Sequence, residues 1–418
     1  MLRNYEYDVA VVGGGSAGVA AALASSRTGA KTILIERNPY FGGEATHSQV
    51  TSYCGFYTRG AKPDQVVKGI GEEVLIRLRG YGANTEPTIS KSTGNASIRF
   101  NPELVKLVLD DLMLESSVKY LLHAEVIDVN INNDKIEKLT CIDDEGHFTI
   151  KAKVFIDATG NGNLTNLAGV KTLWGNEQGI TQQASLVFKL DNLPRTDILM
   201  SDLESAIKKG KEQGIKGLEK EKGMIVKIPS ENYGYCTIPS KILTDLSAET
   251  LTKAEIELRK QVNAYTTAFK KNVPNLSDII VSQSGPSIGI REARRIIGEY
   301  TLIGEEIVKG PKTDDSIARG GWSPEIHRSN TELNYTHIPD NDYFSIPLGA
   351  LKVKDAKNLW AAGRNISTDS TALGSIRVMG TGFATGQAAG VAAALTLDNE
   401  KYDIKKIQQE LLKQNALI

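Results

Sequence analysis

A glycine-rich segment near the amino terminus, Gly13-Gly14-Gly15-Ser16-Ala17-Gly18, constrains the fold of this chain more than any other feature. It fits the pattern G-x-G-x-x-G and follows an apolar run over residues 7–12, which predicts a buried strand. An alanine-rich helix is predicted over residues 17–26 and a second strand over residues 31–36. This β-α-β order predicts an α/β fold of the Rossmann type, with three layers and a parallel sheet.

The positions within this segment predict a dinucleotide site. Gly13 permits the tight turn, Gly15 lets the backbone approach a pyrophosphate, and Gly18 allows the helix to pack closely on the strand. The free N–H groups at the start of the helix attract phosphate. Glu36 follows the second strand at the spacing of a ribose-binding acid, and it would repel a 2′-phosphate. An ordinary glycine turn is the alternative, and the spacing of Glu36 disfavours it.

NAD and FAD share this fingerprint, so two later segments decide between them. One is an apolar strand that ends in Ala158-Thr159-Gly160, and the other is a strand that ends in Gly363-Arg364. With these segments the chain resembles the FAD-dependent oxidoreductases of the glutathione-reductase structural superfamily. It is more closely similar to the bacterial family labelled FAD-dependent oxidoreductase, and the matching segments are residues 41–46, 157–163, 290–300 and 362–390.

The resemblance implies that FAD is the cofactor and that it is bound without a covalent link. Together with the fingerprint, it indicates the cofactor-binding residues Gly13, Gly15, Ser16, Ala17, Gly18, Glu36, Arg37, Gly43, Glu44, Ala45, Thr46, Val126, Ala158, Thr159, Gly160, Gly363, Arg364, Gly380, Thr381 and Gly382. The chain departs from the superfamily pattern at Arg364, where aspartate is usual, and at Asn161-Gly162-Asn163, where Asp-Gly-Asp is usual. These positions therefore lack the carboxylate that usually contacts the ribityl chain, although asparagine still bonds to hydroxyls.

Two further features of the predicted flavin region each allow two interpretations. The glycine-rich run from Gly374 to Gly390 leads into a helix whose N-terminus could face an anion, which the resemblance identifies as the pyrimidine end of the flavin. The alternative is an alanine-rich helix packed closely on another helix. His47 lies where distantly similar succinate dehydrogenase-type flavoproteins attach FAD covalently, and a polar contact to the ring is the milder alternative.

The organisation of the chain predicts a discontinuous FAD-binding domain. Residues 1–170 and 341–418 are assigned to it, and residues 171–340 form an inserted, smaller α+β substrate domain. Asn101 and Pro102 begin a helix that runs to about residue 115. In the inserted domain a long helix is predicted to begin at Thr252, with Glu255 completing a capping box.

Composition excludes several classes of partner. The formal net charge of −1 argues against nucleic acid, and no apolar run reaches the length of a membrane span. The start of the chain lacks the pattern of a signal peptide. Three widely separated cysteines favour a reducing compartment, here the cytoplasm, over a disulfide framework or a zinc site. The predicted partners are a small-molecule substrate and a separate electron donor or acceptor.

Two motifs that the sequence lacks limit the possible sources of electrons. It has no C-x-x-C pair and no second dinucleotide fingerprint, so electrons come from the substrate, a partner protein or a transiently bound nicotinamide. His327 is the candidate for proton transfer, with an exposed loop histidine as the alternative. Arg291 and Arg319 are candidates for binding a carboxylate or hydroxyl groups, with ordinary ion pairs as the alternative.

These features predict an FAD-dependent oxidoreductase that transfers a hydride between the flavin and a small polar metabolite. Two alternatives stay open. One is a flavoenzyme that modifies tRNA or a cofactor, and the other is a non-catalytic flavin-binding redox sensor. A sensor has no need of an enclosed polar pocket at the flavin, whereas an enzyme does.

Overall fold

The amino-terminal unit folds as predicted. A computed structural model describes residues 3–228, 231–330, 334–399 and 401–418. The strand Arg3–Val12 begins four residues earlier than the sequence predicts, and the helix Ser16–Arg27 and the strand Thr32–Ile35 follow it. The two strands are parallel, with Val9 opposite Thr32 and Val12 opposite Ile35. The β-α-β unit is thereby confirmed.

The central sheet places three strand ends side by side. Its seven strands run in the order Lys119–Leu121, Thr32–Ile35, Arg3–Val12, Gly146–Asp157, Lys135–Asp143 and Glu125–Asn132, with Leu359–Ala361 also paired to Gly146–Asp157. Asp157 lies opposite both Val12 and Ala361 in parallel register. The turns that follow these strands therefore meet at one edge of the sheet, where open α/β sheets bind their ligands.

One pair of helices is packed unusually closely. The helix Ser16–Arg27 lies against the helix Met379–Leu395, and a Cβ added at Gly386 or Gly390 would overlap the carbonyl oxygens of Ala17 and Ala21. The close packing that the sequence allowed as an alternative for this glycine-rich helix is therefore present. The other interpretation, a helix whose N-terminus could face an anion, is compatible with this packing, because the N-terminus of the same helix lines the cleft described below.

A second hydrophobic core lies within residues 184–293. It contains a four-stranded antiparallel sheet in the order Ile225–Lys227, Gly234–Cys236, Phe188–Asp191 and Ile280–Ser284. The helices Met200–Glu212 and Ala248–Asn272 supply buried side chains to the same core. The second core ends at Ala293, and Ile296 already belongs to the first core. The first core also includes Leu302, Ile307, Ile317 and Ile338, which the sequence assigned to the inserted domain.

The long helix of this second unit begins earlier than predicted. Ser247 is its N-cap and accepts a hydrogen bond from the backbone N–H of Thr250. Thr252 lies inside the helix, so the prediction of a capping box from Thr252 to Glu255 is wrong. The Glu255 carboxylate instead accepts from the backbone N–H of Ile288 at 2.8 Å. By contrast, Asn101 caps the helix Pro102–Leu114 as predicted.

Shorter elements complete the described part of the chain. The remaining helices are Ile70–Gly80, Asn163–Leu167, Gly304–Ile307, Ser370–Ile376 and Ile404–Lys413, with 3₁₀ turns at Gly43–Ala45, Pro274–Leu276, Leu348–Ala350 and Gly363–Asn365. The remaining strands are Ser52–Cys54, Thr88–Ile89, Ala96–Arg99, Thr172–Trp174, Ala184–Ser185, Ser240–Lys241, Arg294–Ile296, Ser316–Gly320, Glu325–Ile326, Asn334–Tyr335 and Phe344–Pro347. Among the described residues, no helix has the length and apolar character needed to cross a membrane.

Candidate active site

A cleft of about 340 Å³ opens at the carboxyl ends of the three central strands. Most of the predicted cofactor residues line it, namely Gly13, Gly15, Ser16, Ala17, Glu36, Arg37, Gly43, Glu44, Val126, Ala158, Thr159, Gly160, Gly363, Arg364 and Gly382. They come from segments far apart in the chain, and the parallel register of the central strands brings them together.

The start of the first helix is built to receive an anion. Gly15 is its N-cap and offers no side chain to the free N–H groups, and the first turn contains no acidic residue. A Cβ placed at Gly15 would find only the Cα of Gly43 nearby, at 3.8 Å, so the space in front of the helix is open. Uncapped N–H donors and a partial positive charge facing open space suit a pyrophosphate.

Glu36 is fixed at the edge of this cleft. Its Oε2 accepts from the Gly14 N–H at 2.6 Å, and its Oε1 accepts from the backbone and side chain of Asn38 at 2.8 and 2.7 Å. Burial raises the pKa of Glu36, while the hydrogen bonds from Asn38 and Gly14 oppose that rise. A carboxylate has about four lone-pair sites, so capacity is left for a ribose hydroxyl.

Arg364, which stands where the superfamily usually has aspartate, contacts an acidic residue in the cleft. The guanidinium of Arg364 donates to Glu44 Oε1 at 2.6 Å and to Asn161 Oδ1 at 2.8 Å. All three residues line the cleft. The carboxylate in this part of the site therefore comes from Glu44, and Arg364 holds it in place.

A second helix N-terminus lines the same cleft, beside the first. The helix Met379–Leu395 has Val378 as its N-cap, without a side-chain cap, and its first turn carries no acidic residue. A Cβ at Gly382 would lie 3.8 Å from Ser16 Cβ and 3.9 Å from the Ala17 nitrogen, which leaves room between the two helices. Two converging helix N-termini favour a ligand with negative charge at both places, and the pyrophosphate and reduced flavin of FAD satisfy that requirement.

The other predicted cofactor residues shape the loops without lining the cleft. A Cβ at Gly18 would overlap the Gly13 carbonyl, which is the close packing expected of this position. Ala45 and Thr381 are fully buried, the Thr46 hydroxyl donates to the Phe41 carbonyl at 2.7 Å, and a Cβ at Gly380 would lie 2.7 Å from the Cys54 carbonyl.

His47 lines the cleft, and its Nδ1 lies 3.1 Å from the Tyr40 hydroxyl. Burial lowers the pKa of His47.

A cluster of polar side chains centres on Glu325. Its Oε1 lies 3.0 Å from His327 Nε2 and accepts from the Tyr335 hydroxyl at 2.7 Å. Arg377 approaches its Oε2 at 3.4 Å and also lines the cleft beside Val378. Arg377 thus joins this cluster to the start of the second helix, where the resemblance locates the flavin ring.

The cluster keeps His327 neutral. Burial lowers the pKa of His327 to about 3, and the positive charge of Arg291 adds to the effect. Burial alone would raise the pKa of Glu325, but the hydrogen bonds from His327 and Tyr335 and the charge of Arg377 outweigh it, so that Glu325 is ionised. The neutral imidazole then donates through Nε2 to the Glu325 carboxylate. His327 Nδ1 is buried and has no partner among the described residues.

Arg291 is brought beside His327, and Arg319 is not. Arg291 Nη1 donates to the Gln183 carbonyl at 2.6 Å, and the Gln183 N–H donates to the His327 carbonyl at 2.7 Å. Arg319 Nε instead donates to the Ile418 carbonyl at 2.9 Å, and its guanidinium lies over the Tyr343 ring. The pairing of its strand with Phe344–Pro347 directs Arg319 toward the end of the chain. None of the three residues lines the cleft itself, but His327 and Arg291 are connected to it through Glu325 and Arg377.

The sequence singled out His327 and Arg291 but missed Glu325, Tyr335 and Arg377. Glu325 could have been found, because residues two apart on a strand share one face. Arg295, a neighbour of Arg291, forms an ordinary ion pair of the kind that the sequence allowed as an alternative. Its partner is the buried Glu292, at 2.8 Å. The three cysteines are free, and no cluster of metal ligands occurs among the described residues.

Comparison with known proteins finds relatives that match parts of the chain. Thiamine thiazole synthase of Methanococcus aeolicus is 26% identical over 190 residues, which is 42% of this chain and 68% of that protein. The tRNA uridine 5-carboxymethylaminomethyl modification enzyme MnmG of a Sulfurihydrogenibium species is 32% identical over 171 residues, 38% of this chain and 26% of that protein. The structure of BexE, from a study of oxidation during BE-7585A biosynthesis, is 12% identical with a TM-score of 0.50, over 98% of this chain and 66% of BexE. That likeness shows the fold alone.

The family described as FAD dependent oxidoreductase matches residues 8–415, almost the full length of the chain. The predicted cofactor, FAD, and the predicted enzyme class are thereby confirmed, as is the Rossmann-type fold. The wider placement in the glutathione-reductase superfamily and a bacterial source stay predictions from the resemblance. The chain belongs to the FAD dependent oxidoreductase family.

Proposed function

We propose that this enzyme transfers a hydride between FAD and a small polar metabolite, and that His327 moves the accompanying proton. The observation that carries the proposal is the position of Arg377, which lines the cofactor cleft and contacts the Glu325 carboxylate that orients His327. A polar site therefore adjoins the flavin end of the cleft. We further propose that a separate donor or acceptor, which the sequence does not name, completes the electron balance.

Several residues would hold the cofactor. The N-termini of the two cleft helices would receive its negative charges, Glu36 would bond to the adenosine ribose, and Glu44 and Asn161 would offer further acceptors. The flavin, when bound, supplies the hydride chemistry. The chain's own residues position the substrate and move the proton.

His327 is suited to proton transfer by its orientation. Its Nε2 faces Glu325 at 3.0 Å, which fixes the ring and the tautomer. Nδ1 is then an unprotonated nitrogen in a buried position. In the oxidative direction Nδ1 accepts a substrate proton, and in the reductive direction the protonated nitrogen returns it.

Two alternative functions fit less well. Modification of tRNA, the activity named for the MnmG relative, would need a surface for phosphates, and the chain carries a net charge of −1. A redox sensor would not require a buried histidine oriented by a carboxylate. The cluster around Glu325 supports an enzyme over a sensor, and the net charge of −1 favours a small-molecule substrate over tRNA.

The test is anaerobic titration of the FAD-loaded enzyme with small alcohols, hydroxy acids, amines and their oxidised counterparts. We expect one class to bleach or restore the flavin absorbance. His327→Gln should lower the rate of that step by about 10² to 10⁴-fold while FAD stays bound. His147→Gln changes an exposed histidine and is the matched control. Equal rates for the two variants would remove His327 from the mechanism, and a flavin that responds only to dithionite and oxygen would favour the sensor.

A further inference from the structure

The surroundings of His327 carry an excess of positive charge. Arg291 and Arg377 are close enough that each arginine's charge bears on the pKa of His327, and Glu325 is the carboxylate between them. The pKa of Arg291 is lowered to about 10, first by burial and then by the charge of Arg377. The pKa of Lys220 is lowered to about 8 by burial and by Arg291. Cations that are buried together are unfavourable unless an anion compensates them.

The same site contains donors that lack partners. Arg377 Nε and the side-chain nitrogen of Gln182 are buried and have no hydrogen-bond partner among the described residues. Gln182 is 1% exposed, and its Oε1 accepts from the His327 N–H, which fixes its amide next to the histidine. Arg291 uses only Nη1 in hydrogen bonds within the described part of the chain, and these go to Gln183 and Ser185. Nitrogens of this kind are normally paired in a folded protein, so they indicate a ligand with acceptor atoms.

Unpaired acceptors lie in the same place. His327 Nδ1 and Gln183 Oε1 are buried and have no partner among the described residues. Gln183 is 3% exposed, and its N–H is bonded to the His327 carbonyl. The ligand must therefore offer a donor as well as acceptors. A hydroxyl satisfies this need without adding charge, whereas an ammonium group would meet the positive charges of Arg291 and Arg377.

We infer that the substrate is a small hydroxycarboxylate, whose carboxylate is bound by Arg291 and Arg377 and whose hydroxyl bonds to His327. The inference rests on the proposed function and names its substrate class. Guanidinium groups match a carboxylate because two parallel N–H donors meet its two oxygens. In oxidation the hydroxyl proton passes to His327 Nδ1 and the carbinol hydride passes to FAD. The carbon–oxygen single bond becomes a carbonyl, and the cofactor takes up the electron pair.

The first experiment uses the unmodified FAD-loaded enzyme under anaerobic conditions. Glycolate and lactate are titrated against glycolamide and lactamide, with the flavin absorption spectrum and calorimetric heat as readouts of binding. We expect a saturable response to at least one carboxylate and a response at least about 10-fold weaker to its amide, because the amide has lost the charge that the arginines bind. Equal binding of acid and amide, or no saturable response to either acid, would overturn the inference.

The second experiment changes the anion-binding residue. Arg291→Gln should weaken carboxylate binding by about 10- to 100-fold, and Arg291→Lys should weaken it less because the charge remains. Arg319→Gln is the matched control, since Arg319 bonds to the Ile418 carbonyl outside the cleft. FAD content and melting temperature verify that each variant is folded. Wild-type affinity in Arg291→Gln would overturn the inference.

The substrate class and the proposed function can fail separately. If a neutral alcohol reduces the flavin in a reaction that depends on His327 and is indifferent to Arg291, the substrate class is wrong and the proposed function stands. If no alcohol, amine or acid reduces the flavin and no carbonyl compound reoxidises it, the proposed function itself fails. The comparison of acid with amide requires no variant, so it decides the substrate class even if Arg291→Gln does not fold.

Discussion

The carboxylate of Glu292 is fully buried and forms an ion pair with Arg295, whose Nη1 lies 2.8 Å from its Oε1. The other oxygen binds Arg328 at 3.1 Å and the backbone N–H of Gln182 at 2.8 Å, and the Ser370 hydroxyl also donates to the carboxylate. Arg328 follows His327 directly in the chain. Glu292 therefore connects the segments on either side of His327, the proposed proton-transfer residue.

Replacement of Glu292 should destabilise the fold strongly. Glu292→Gln leaves the buried charge of Arg295 without its partner, and we expect a loss of about 3–5 kcal/mol in the free energy of unfolding. Glu249→Gln is the control, because Glu249 pairs with Lys253 on an exposed helix face and should cost at most about 0.5 kcal/mol. Urea denaturation followed by circular dichroism measures both. Similar losses in the two variants would show that the buried network contributes little.

The acid limb of the pH profile of kcat/KM should lie at low pH. The pKa of His327 is lowered to about 3 by burial and by Arg291, so the imidazole stays unprotonated as the pH falls through the ordinary histidine value of about 6.5. Because the base is active when unprotonated, kcat/KM should show no inflection from His327 near that pH. Arg291→Gln removes a positive neighbour and should move the acid limb to higher pH. A profile from about pH 4 to about pH 9, with circular dichroism at each point, tests this. A wild-type inflection near 6.5 that disappears in His327→Gln would contradict the lowered pKa.

Arg364 should matter for cofactor affinity through Glu44. Without the Arg364 guanidinium, the negative charge of Glu44 would face the pyrophosphate region with no positive charge beside it. We expect Arg364→Met to raise the Kd of FAD by about 10- to 100-fold. Arg3→Met is the control, because Arg3 pairs with Asp143 far from the cleft. The double variant Glu44→Gln, Arg364→Met should recover part of the loss, because the unpaired charge is then absent. Fluorescence titration of the apoenzyme with FAD measures each constant, and additive losses would contradict this role.

The first part of the predicted cofactor site lines the cleft as expected because its sequence signals are local. Gly13 and Gly18 are required by turns and contacts within a single β-α-β unit, and Glu36 follows at a spacing set by the helix length. The helix start at Asn101 is equally local, because its side chain bonds two residues ahead. Thr252 shows the limit of local rules, since Ser247 offers a competing cap five residues earlier.

The substrate side could be predicted only in part, because its contacts are long-range. Arg377 reaches Glu325 across 52 positions through the packing of the helix Ser370–Ile376 on the strand Glu325–Ile326, which no spacing rule predicts. Tyr335 reaches Glu325 only because a short antiparallel pair forms. Arg319 is adjacent to glycines that suggest a loop, yet residues 316–320 form a strand that directs its side chain away from the cleft. The packing of Ile296, Leu302 and Ile338 in the first core is likewise set by tertiary structure.

The contact between the two cleft helices gives the last prediction. Gly386 is fully enclosed, and an added methyl group would overlap the backbone carbonyl of Ala17, which cannot move without shifting the first helix. We expect Gly386→Ala to destabilise the protein by about 3 kcal/mol, at the upper end for overpacking. Because Ala17 lines the cleft, FAD affinity should fall in the same variant. Gly80→Ala is the control: it adds a methyl group at an exposed helix position with no atom within 4 Å, where alanine is neutral or stabilising by up to about 1 kcal/mol. Urea denaturation and FAD titration measure the two effects. Stability loss with unchanged FAD affinity would mean that the cleft does not depend on the spacing of these helices.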